Sequence, residues 1–151
     1  MTNTQPVRVF VAHNFEGHED FYKTIEYLES REAFVYVNSA NQEAKPEEGG
    51  AEAGQEELRK QIGLSEIYII PVNVYNSDPA TYDYQIRVAQ NFKLPVLGIQ
   101  AFGATMEIPK GLLDVCSDIV EWEARRIVTA IKRLARDEQI GEYEVIEFTL
   151  E

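Results

Sequence analysis

Polar and aromatic side chains follow three of the β-rich runs in this 151-residue chain. Asn, Gln and Tyr side chains can hydrogen-bond the edge of a sugar or a base, and an aromatic ring such as Phe15 or Tyr82 can stack on a purine. Taken singly, each of these residues is also typical of a helix cap or a solvated loop. Together they predict a polar, aromatic pocket made of His13, Asn14, Phe15, Asn38, Ser39, Asn73, Asn76, Asp78, Tyr82, Tyr84 and Gln85.

Three common kinds of catalytic site lack their motif in this sequence. The single Cys116 and the two histidines, His13 and His18, do not have the spacing of a zinc site, so we predict no metal. Neither a Walker pattern nor a GxGxxG follows the first strand. No Ser or Cys nucleophile has a base near it in sequence. The sequence therefore does not indicate a standard hydrolase or a dinucleotide-binding domain.

The elements that must position the pocket alternate along the chain. Residues 7–12 are apolar on both faces, as in a strand covered on both sides. Asp78 and Pro79 have the types of a helix N-cap and a first helical residue, and Pro71 should end or bend its strand. The pattern predicts a flavodoxin-like, doubly wound, five-stranded parallel sheet, in which ligands bind at the carboxyl ends of the strands. Strands are expected at residues 7–12, 34–38, 66–74, 94–99 and 118–122, and helices at 18–30, 55–63, 79–92 and about 127–136.

Two segments do not follow this alternation. Residues 41–54 are rich in Glu, Gly, Ala and Gln and lack apolar periodicity, which predicts a mobile acidic surface loop that is either a lid or disordered. Gly63 would then close the next helix from just beyond its end. Residues 142–151 predict an additional C-terminal strand or arm, which would pair with the sheet edge of its own domain or of a partner. We expect one domain over residues 1–151.

The bulk composition limits the partners and the compartment. Twenty-six acidic and fourteen basic side chains give a formal net charge of −12, and a field of that sign repels nucleic acid. One cysteine excludes an intramolecular disulfide and favours a reducing compartment. No apolar run has the length of about 18 residues that a membrane span needs. We therefore expect a cytoplasmic protein that binds neither nucleic acid nor a membrane.

Several short motifs carry a resemblance to a known family. They are the residues Ala12 to Phe15 after the first strand, the helical run at 20–28, and Tyr82-Asp-Tyr-Gln85-Ile. The segments at 93–99 and 119–122 add to them. Over nearly the whole chain, to about residue 136, the sequence resembles the TIR-like domain family that includes the Thoeris ThsB proteins.

The resemblance implies a flavodoxin-like fold and nucleotide chemistry. TIR enzymes cleave the nicotinamide glycosidic bond of NAD, and members of the ThsB type make ADP-ribose-derived signals in antiphage defence. The family's catalytic glutamate corresponds here to Gln85. A glutamine keeps the hydrogen bonds but loses the charge that stabilises a developing ribosyl cation, a loss of about 3 to 5 kcal/mol. We therefore expect weak or absent catalysis, which a change of Gln85 to Glu should restore.

Other functions stay open at this point. An active NAD glycohydrolase or ADP-ribosyl cyclase would need His13 or Asp78 in place of the missing carboxylate, whereas Asp83 points away from position 85 on a helix. A non-catalytic self-association module is the third hypothesis, with the segment 143–150 adding a strand to a partner. No cofactor is expected to bind tightly, NAD or a related nucleotide is the expected substrate or ligand, and the protein partner is a second copy of the chain or an effector.

Overall fold

The computed structural model describes residues 5–100 and 108–136, and they form a parallel sheet with helices on both faces. Its strands are β1 (Val7–Val11), β2 (Tyr36–Asn38), β3 (Ile67–Pro71), β4 (Val96–Gln100) and β5 (Asp118–Glu121). The helices are α1 (Glu19–Glu29), α2 (Gly50–Gly63), α3 (Val72–Ser77), α4 (Pro79–Asn91), α5 (Lys110–Leu113) and α6 (Ala124–Arg136), with a 3₁₀ turn at Gln42–Ala44.

The strand order is β2-β1-β3-β4-β5, and every pairing is parallel. This is the flavodoxin-like order, so the predicted fold class is confirmed. In this order the connections leave β1 and β3 in opposite directions, and ligands of such folds bind in the crevice at that point. The predicted C-terminal strand at 142–151 lies outside the described residues.

Alternation along the strands divides the core between the two faces of the sheet. Val9 points to one face and packs with Leu28 of α1 and Ile131 of α6. Phe10, the next residue, points to the other face and packs with Ile62 of α2 and Ile86 of α4. Because both faces are covered, β3 is buried along its whole length, and β1 is buried except at Arg8.

Local capping explains where two of the helices begin. His18 is the N-cap of α1, and its ring accepts a hydrogen bond from the Asp20 backbone N–H. Asp78 is the N-cap of α4, its carboxylate accepts from the Thr81 N–H and hydroxyl, and Pro79 is the first helical residue. Side-chain caps of this kind satisfy the unpaired N–H groups of a first turn. Both predicted helix starts are confirmed to within one residue.

The second helix begins earlier than the sequence indicated. Residues 50–54, expected in a loop, form the first turns of α2, which the chain enters through Gly49 and Gly50 at φ +98° and +63°. Residues 50–56 are mostly exposed and include no large apolar side chain, so they leave no apolar periodicity to detect. Gly63 is the last helical residue rather than a cap beyond the end, and a Cβ there would lie 2.8 Å from Cζ of Phe92.

The third strand ends earlier than the sequence indicated. Pro71 lacks the N–H that would continue the ladder, and the short helix α3 starts at Val72. Val72 and Val74 are apolar because they are buried on α3, and in the sequence they resemble the continuation of the strand. Asn73 and Asn76 consequently lie on a helix instead of a loop.

Two surface features of the fold bear on the experiments below. At the amino edge of the sheet, Glu66 binds the guanidinium groups of Arg136, at the end of α6, and of Arg8 on β1. On the α1–α6 face, Trp122 is 8% exposed, and the Lys23 ammonium lies 4.6 Å from the centroid of its ring.

No described helix combines the length and apolarity that a membrane crossing requires.

Candidate functional site

A cavity of about 600 Å³ lies between the loop after β1, the start of α2 and the first turns of α4. The loop after β1 leaves the carboxyl edge of the sheet, where parallel sheets bind their ligands. Its lining combines two aromatic rings, one lysine, one carboxylate and small apolar groups. The lining residues are Phe15, Lys45, Pro46, Glu47, Gly50, Ala51, Gly54, Gln55, Leu58, Ala80, Thr81 and Tyr84.

Phe15 forms one wall of the cavity in an unusual backbone conformation. Its φ is +71°, a region that bulky residues rarely adopt and that costs of order 1 to 3 kcal/mol. The conformation is held because the Phe15 N–H donates to Nδ1 of His13 at 3.0 Å. The phenyl ring also meets the His13 ring edge-on, with centroids 5.2 Å apart. His13 therefore places the ring that faces the cavity.

His13 itself is buried behind this wall, with 1% of its surface exposed. Nδ1 accepts from Phe15, so the proton of the neutral ring is on Nε2, which donates to Oε1 of Gln61 at 2.8 Å. Burial lowers the pKa of His13, and the Gln61 bond and the Glu57 charge oppose that shift more weakly. The imidazole does not line the cavity, and it acts on Phe15.

Gln85 is fully buried under the same loop. Its Nε2 donates to the His13 carbonyl oxygen at 2.7 Å, and its Oε1 accepts from the Tyr68 hydroxyl at 2.9 Å. Burial raises the pKa of Tyr68 well above its usual range, so the hydroxyl remains a donor. Gln85 thus ties α4 to the end of β1, and it does not line the cavity.

The helical phase of α4 decides which of its residues face the cavity. Ala80, Thr81 and Tyr84 line it, while Tyr82 is buried in the core on the same stripe as Gln85. The sequence contained the signal, since Gln85 lies three residues after Tyr82 and therefore shares its face. Tyr84, the residue before it and also a predicted pocket residue, faces the cavity.

The two acidic residues of this region are engaged in hydrogen bonds. Both carboxylate oxygens of Asp78 cap Thr81. Asp83 accepts a hydrogen bond from the Tyr75 hydroxyl at 2.7 Å. Neither residue lines the cavity.

The predicted asparagines are not brought together at the cavity. Asn14 Oδ1 accepts from the Glu16 N–H, and Asn38 Oδ1 accepts from the Ala40 N–H, so both stabilise local turns. Asn76 is exposed on α3. Of the predicted ligand contacts, only Phe15 and Tyr84 line the cavity, and ligand contacts for the others stay a prediction.

Sequence reasoning missed the wall that residues 45–58 provide. Lys45 and Glu47 come from the segment predicted as a mobile loop, and Gly50, Gly54 and Leu58 from α2. The available signal was positional, because this segment follows the carboxyl end of β2 and therefore lies beside the loop that follows β1.

The charges at the cavity nearly cancel. Lys45 is the one basic and Glu47 the one acidic side chain of its described lining. The first backbone N–H groups of α2 add a partial positive charge, and the N-cap Gly49 supplies no side chain to them. Among residues 5–100 and 108–136, no three His, Cys, Asp or Glu side chains cluster to hold a metal ion. The arrangement suits a flat aromatic ligand that carries a phosphate.

No family model and no curated protein matches this chain. Among solved structures, the CMP N-glycosidase BcmB of Clostridium botulinum aligns with 83% of this chain and 98% of its own, with 18% identity and a TM-score of 0.45. A likeness of this degree carries no information about the site, and the fold assignment follows from the strand order.

Proposed function

We propose that the chain is a TIR-like nucleotide-binding domain that takes NAD or a related nucleotide in its cavity and has little or no glycosidic cleavage activity. The observation that carries this proposal is the pair of aromatic rings, Phe15 and Tyr84, in the lining of one cavity. An aromatic wall binds a base by stacking, and Lys45 with the start of α2 favours the phosphate end. The resemblance to the Thoeris proteins suggests a role in antiphage signalling.

The expectation of weak catalysis has a second basis in the α4 surface. Ala80, Thr81 and Tyr84 offer no carboxylate to the cavity, whereas Gln85 is turned into the core. Glu47, on the opposite wall, is the one carboxylate of the described lining that could stabilise a ribosyl cation formed in the cavity.

The first experiment is a calorimetric titration of the wild-type protein with NAD, ADP-ribose and AMP. We expect one of these nucleotides to bind, and Tyr84→Ala to weaken its binding about tenfold through the loss of a stacked ring. Arg87→Ala, at an exposed position of the same helix, is the matched control and should bind as the wild type does. The proposal fails if no nucleotide binds or if Tyr84→Ala binds unchanged.

Nicotinamide release from NAD at high protein concentration tests the enzymatic alternative. We expect release at background level, because the α4 face of the cavity lacks a carboxylate. Turnover that Glu47→Gln abolishes would instead identify the domain as an NAD-cleaving enzyme with a carboxylate on the other wall.

Self-association is a second candidate function, which the edge strand β2 favours. Val35 and Val37 are 58% and 51% exposed beside a strand that pairs on one side only within the described structure. Exposed apolar side chains on an edge strand are prone to pair with another chain. We expect a mass above that of a monomer in light scattering, and a reduction of that mass by Val37→Lys. A monomeric wild-type protein would exclude this function.

A further inference from the structure

The loop after β1 and the segment after β2 both meet one buried side chain of α2, Gln61. It is 3% exposed and uses both atoms of its amide group. Oε1 accepts from His13 Nε2 at 2.8 Å and from the Asn41 N–H at 3.0 Å. Nε2 donates to the Asn41 carbonyl oxygen at 3.1 Å and to Oε2 of Glu57 at 2.9 Å. No ligand contact accounts for this network, since Gln61 does not line the cavity.

Two of the partners of Gln61, His13 and Asn41, lead to different walls of the cavity. His13 holds Phe15 at its positive φ and so sets the first wall. Asn41 begins the segment that carries Lys45 and Glu47, and Gln61 holds its backbone through both the N–H and the carbonyl oxygen. One amide group therefore fixes the start of both walls.

We propose that Gln61 is the positioning residue of the nucleotide cavity: it selects the His13 tautomer that holds Phe15 in place, and it fixes Asn41, so that protonation of His13 would release the Phe15 wall. The inference rests on the proposed function for the identity of the ligand, and the network itself is independent of it.

The hydrogen-bond directions explain why a proton on His13 would have this effect. A protonated imidazole has an N–H at both ring nitrogens, and Nδ1–H would face the Phe15 N–H, where two donors meet with no acceptor. The side chains in contact with the ring are those of Phe10, Phe15, Phe21 and Gln61. Within the described structure, Glu57 is the one charged group that acts on its pKa. Among these groups of the described structure, none accepts a hydrogen bond from Nδ1–H.

The Gln61→Glu variant distinguishes a positioning role of Gln61 from a contribution to stability alone. A glutamate keeps the acceptor for His13 but loses both donors, and its charge adjoins Nε2 and thereby raises the pKa of His13. Gln61→Met keeps the approximate volume and removes every hydrogen bond of the side chain. Arg59→Gln, at an exposed position of the same helix, is the matched control.

The first readout is NMR of the free protein between about pH 5 and pH 8, the range in which histidines titrate. The sequence has two histidines, so comparison with His18→Asn assigns the signals of His13. In Gln61→Glu we expect His13 to titrate at higher pH than in the wild type, with the Phe15 amide signal and its exchange protection changing at the same midpoint. An unmoved Phe15 amide through the His13 titration would overturn the proposal.

The second readout is nucleotide affinity, with NAD and AMP as the probes. We expect Gln61→Met to bind about tenfold more weakly than the wild type because preorganisation is lost, and Arg59→Gln to bind normally. In Gln61→Glu the affinity should recover in part as the pH rises above the His13 titration, which a merely destabilised protein would not show. A pH-independent affinity in that variant, with the fold intact, would refute positioning by His13. If NAD, ADP-ribose and AMP all fail to bind the wild type, the proposed function fails, and the NMR readout still decides the role of Gln61.

Discussion

Gln85 is a buried polar residue that positions a loop by hydrogen bonding and does not itself line the cavity. The position that a family resemblance assigns to a catalytic carboxylate is occupied by a side chain whose amide donates to one main-chain oxygen and accepts from one phenol. The residue next to it, Tyr84, meets the cavity. A difference of one residue on a helix is a turn of about 100° and decides whether the side chain lies in the core or at the cavity.

The sequence suggested that Gln85→Glu would create activity, but Gln85 is buried and does not line the cavity. The variant is therefore expected to destabilise the protein without creating NAD cleavage. A carboxylate cannot donate to the His13 carbonyl oxygen, so two acceptors would meet in the core at a cost of about 2 to 4 kcal/mol. Burial raises the pKa of the new carboxyl, so the loss should be smallest at low pH, where the protonated group can donate. Urea unfolding at acidic and at neutral pH measures this, with the exposed Gln90→Glu as control. A variant of full stability that released nicotinamide would contradict it.

His13 should make the stability of the protein depend on pH. The unfolded side chain has a pKa of about 6.5, and burial lowers the pKa of the folded one. The unfolded state therefore binds more protons in the interval between the two values. The contribution of neutral His13 is complete above about pH 6.5 and is lost as the pH falls towards the folded pKa.

Unfolding free energies across this range should show the dependence in the wild type. The same pH dependence of the free energy of unfolding should be present in His18→Asn, which keeps an N-cap for α1. His13→Asn should remove it. An identical slope in His13→Asn would assign the effect to other groups.

At the scale of elements, two variants of Asp78 show whether this residue acts as a helix cap or as a ligand contact. Asp78→Ala should destabilise the protein by about 1 kcal/mol, because α4 loses the acceptor for the Thr81 N–H. Asp78→Ser keeps the capping geometry and should recover most of the stability, with nucleotide affinity unchanged. If Asp78→Ser folds normally and loses the nucleotide, Asp78 contacts the ligand as the sequence suggested. Thermal unfolding and calorimetry on the same two variants decide.

The elements differ in how far the sequence predicts them. The existence of the five strands and the starts of α1 and α4 have local causes, namely apolar runs and capping side chains, and these signals were sufficient. The wall from Lys45 to Leu58 was missed because an exposed helix start has no apolar stripe. Gln61 was missed because its role depends on His13, 48 residues earlier in the chain. Contacts of that kind appear only when the sheet has brought the elements together.

At the scale of the molecule, Glu66 joins the last described helix to the sheet. The Arg136 guanidinium, with a smaller effect from the Arg8 backbone, lowers the pKa of Glu66. A lowered pKa means stability that is present above the unfolded value of about 4.5 and is lost as the pH falls through the folded value. We expect Glu66→Gln to cost about 1 to 3 kcal/mol at neutral pH and to flatten the acid limb of the stability curve. The exposed Glu32→Gln should change neither quantity, and equal stability of the two variants would refute the role of Glu66.

The division of the core into two faces has a consequence for measurement. Trp122 is the only tryptophan of the chain, and it lies on the α1–α6 face under the Lys23 ammonium, whereas Phe15 and Tyr84 lie on the other side of the sheet. Its fluorescence therefore reports the integrity of the fold from a place that a bound nucleotide does not reach. Unfolding can therefore be followed by the emission of Trp122 with a saturating ligand in the sample. The increase in the free energy of unfolding that the ligand causes can then be measured on the unlabelled wild-type protein.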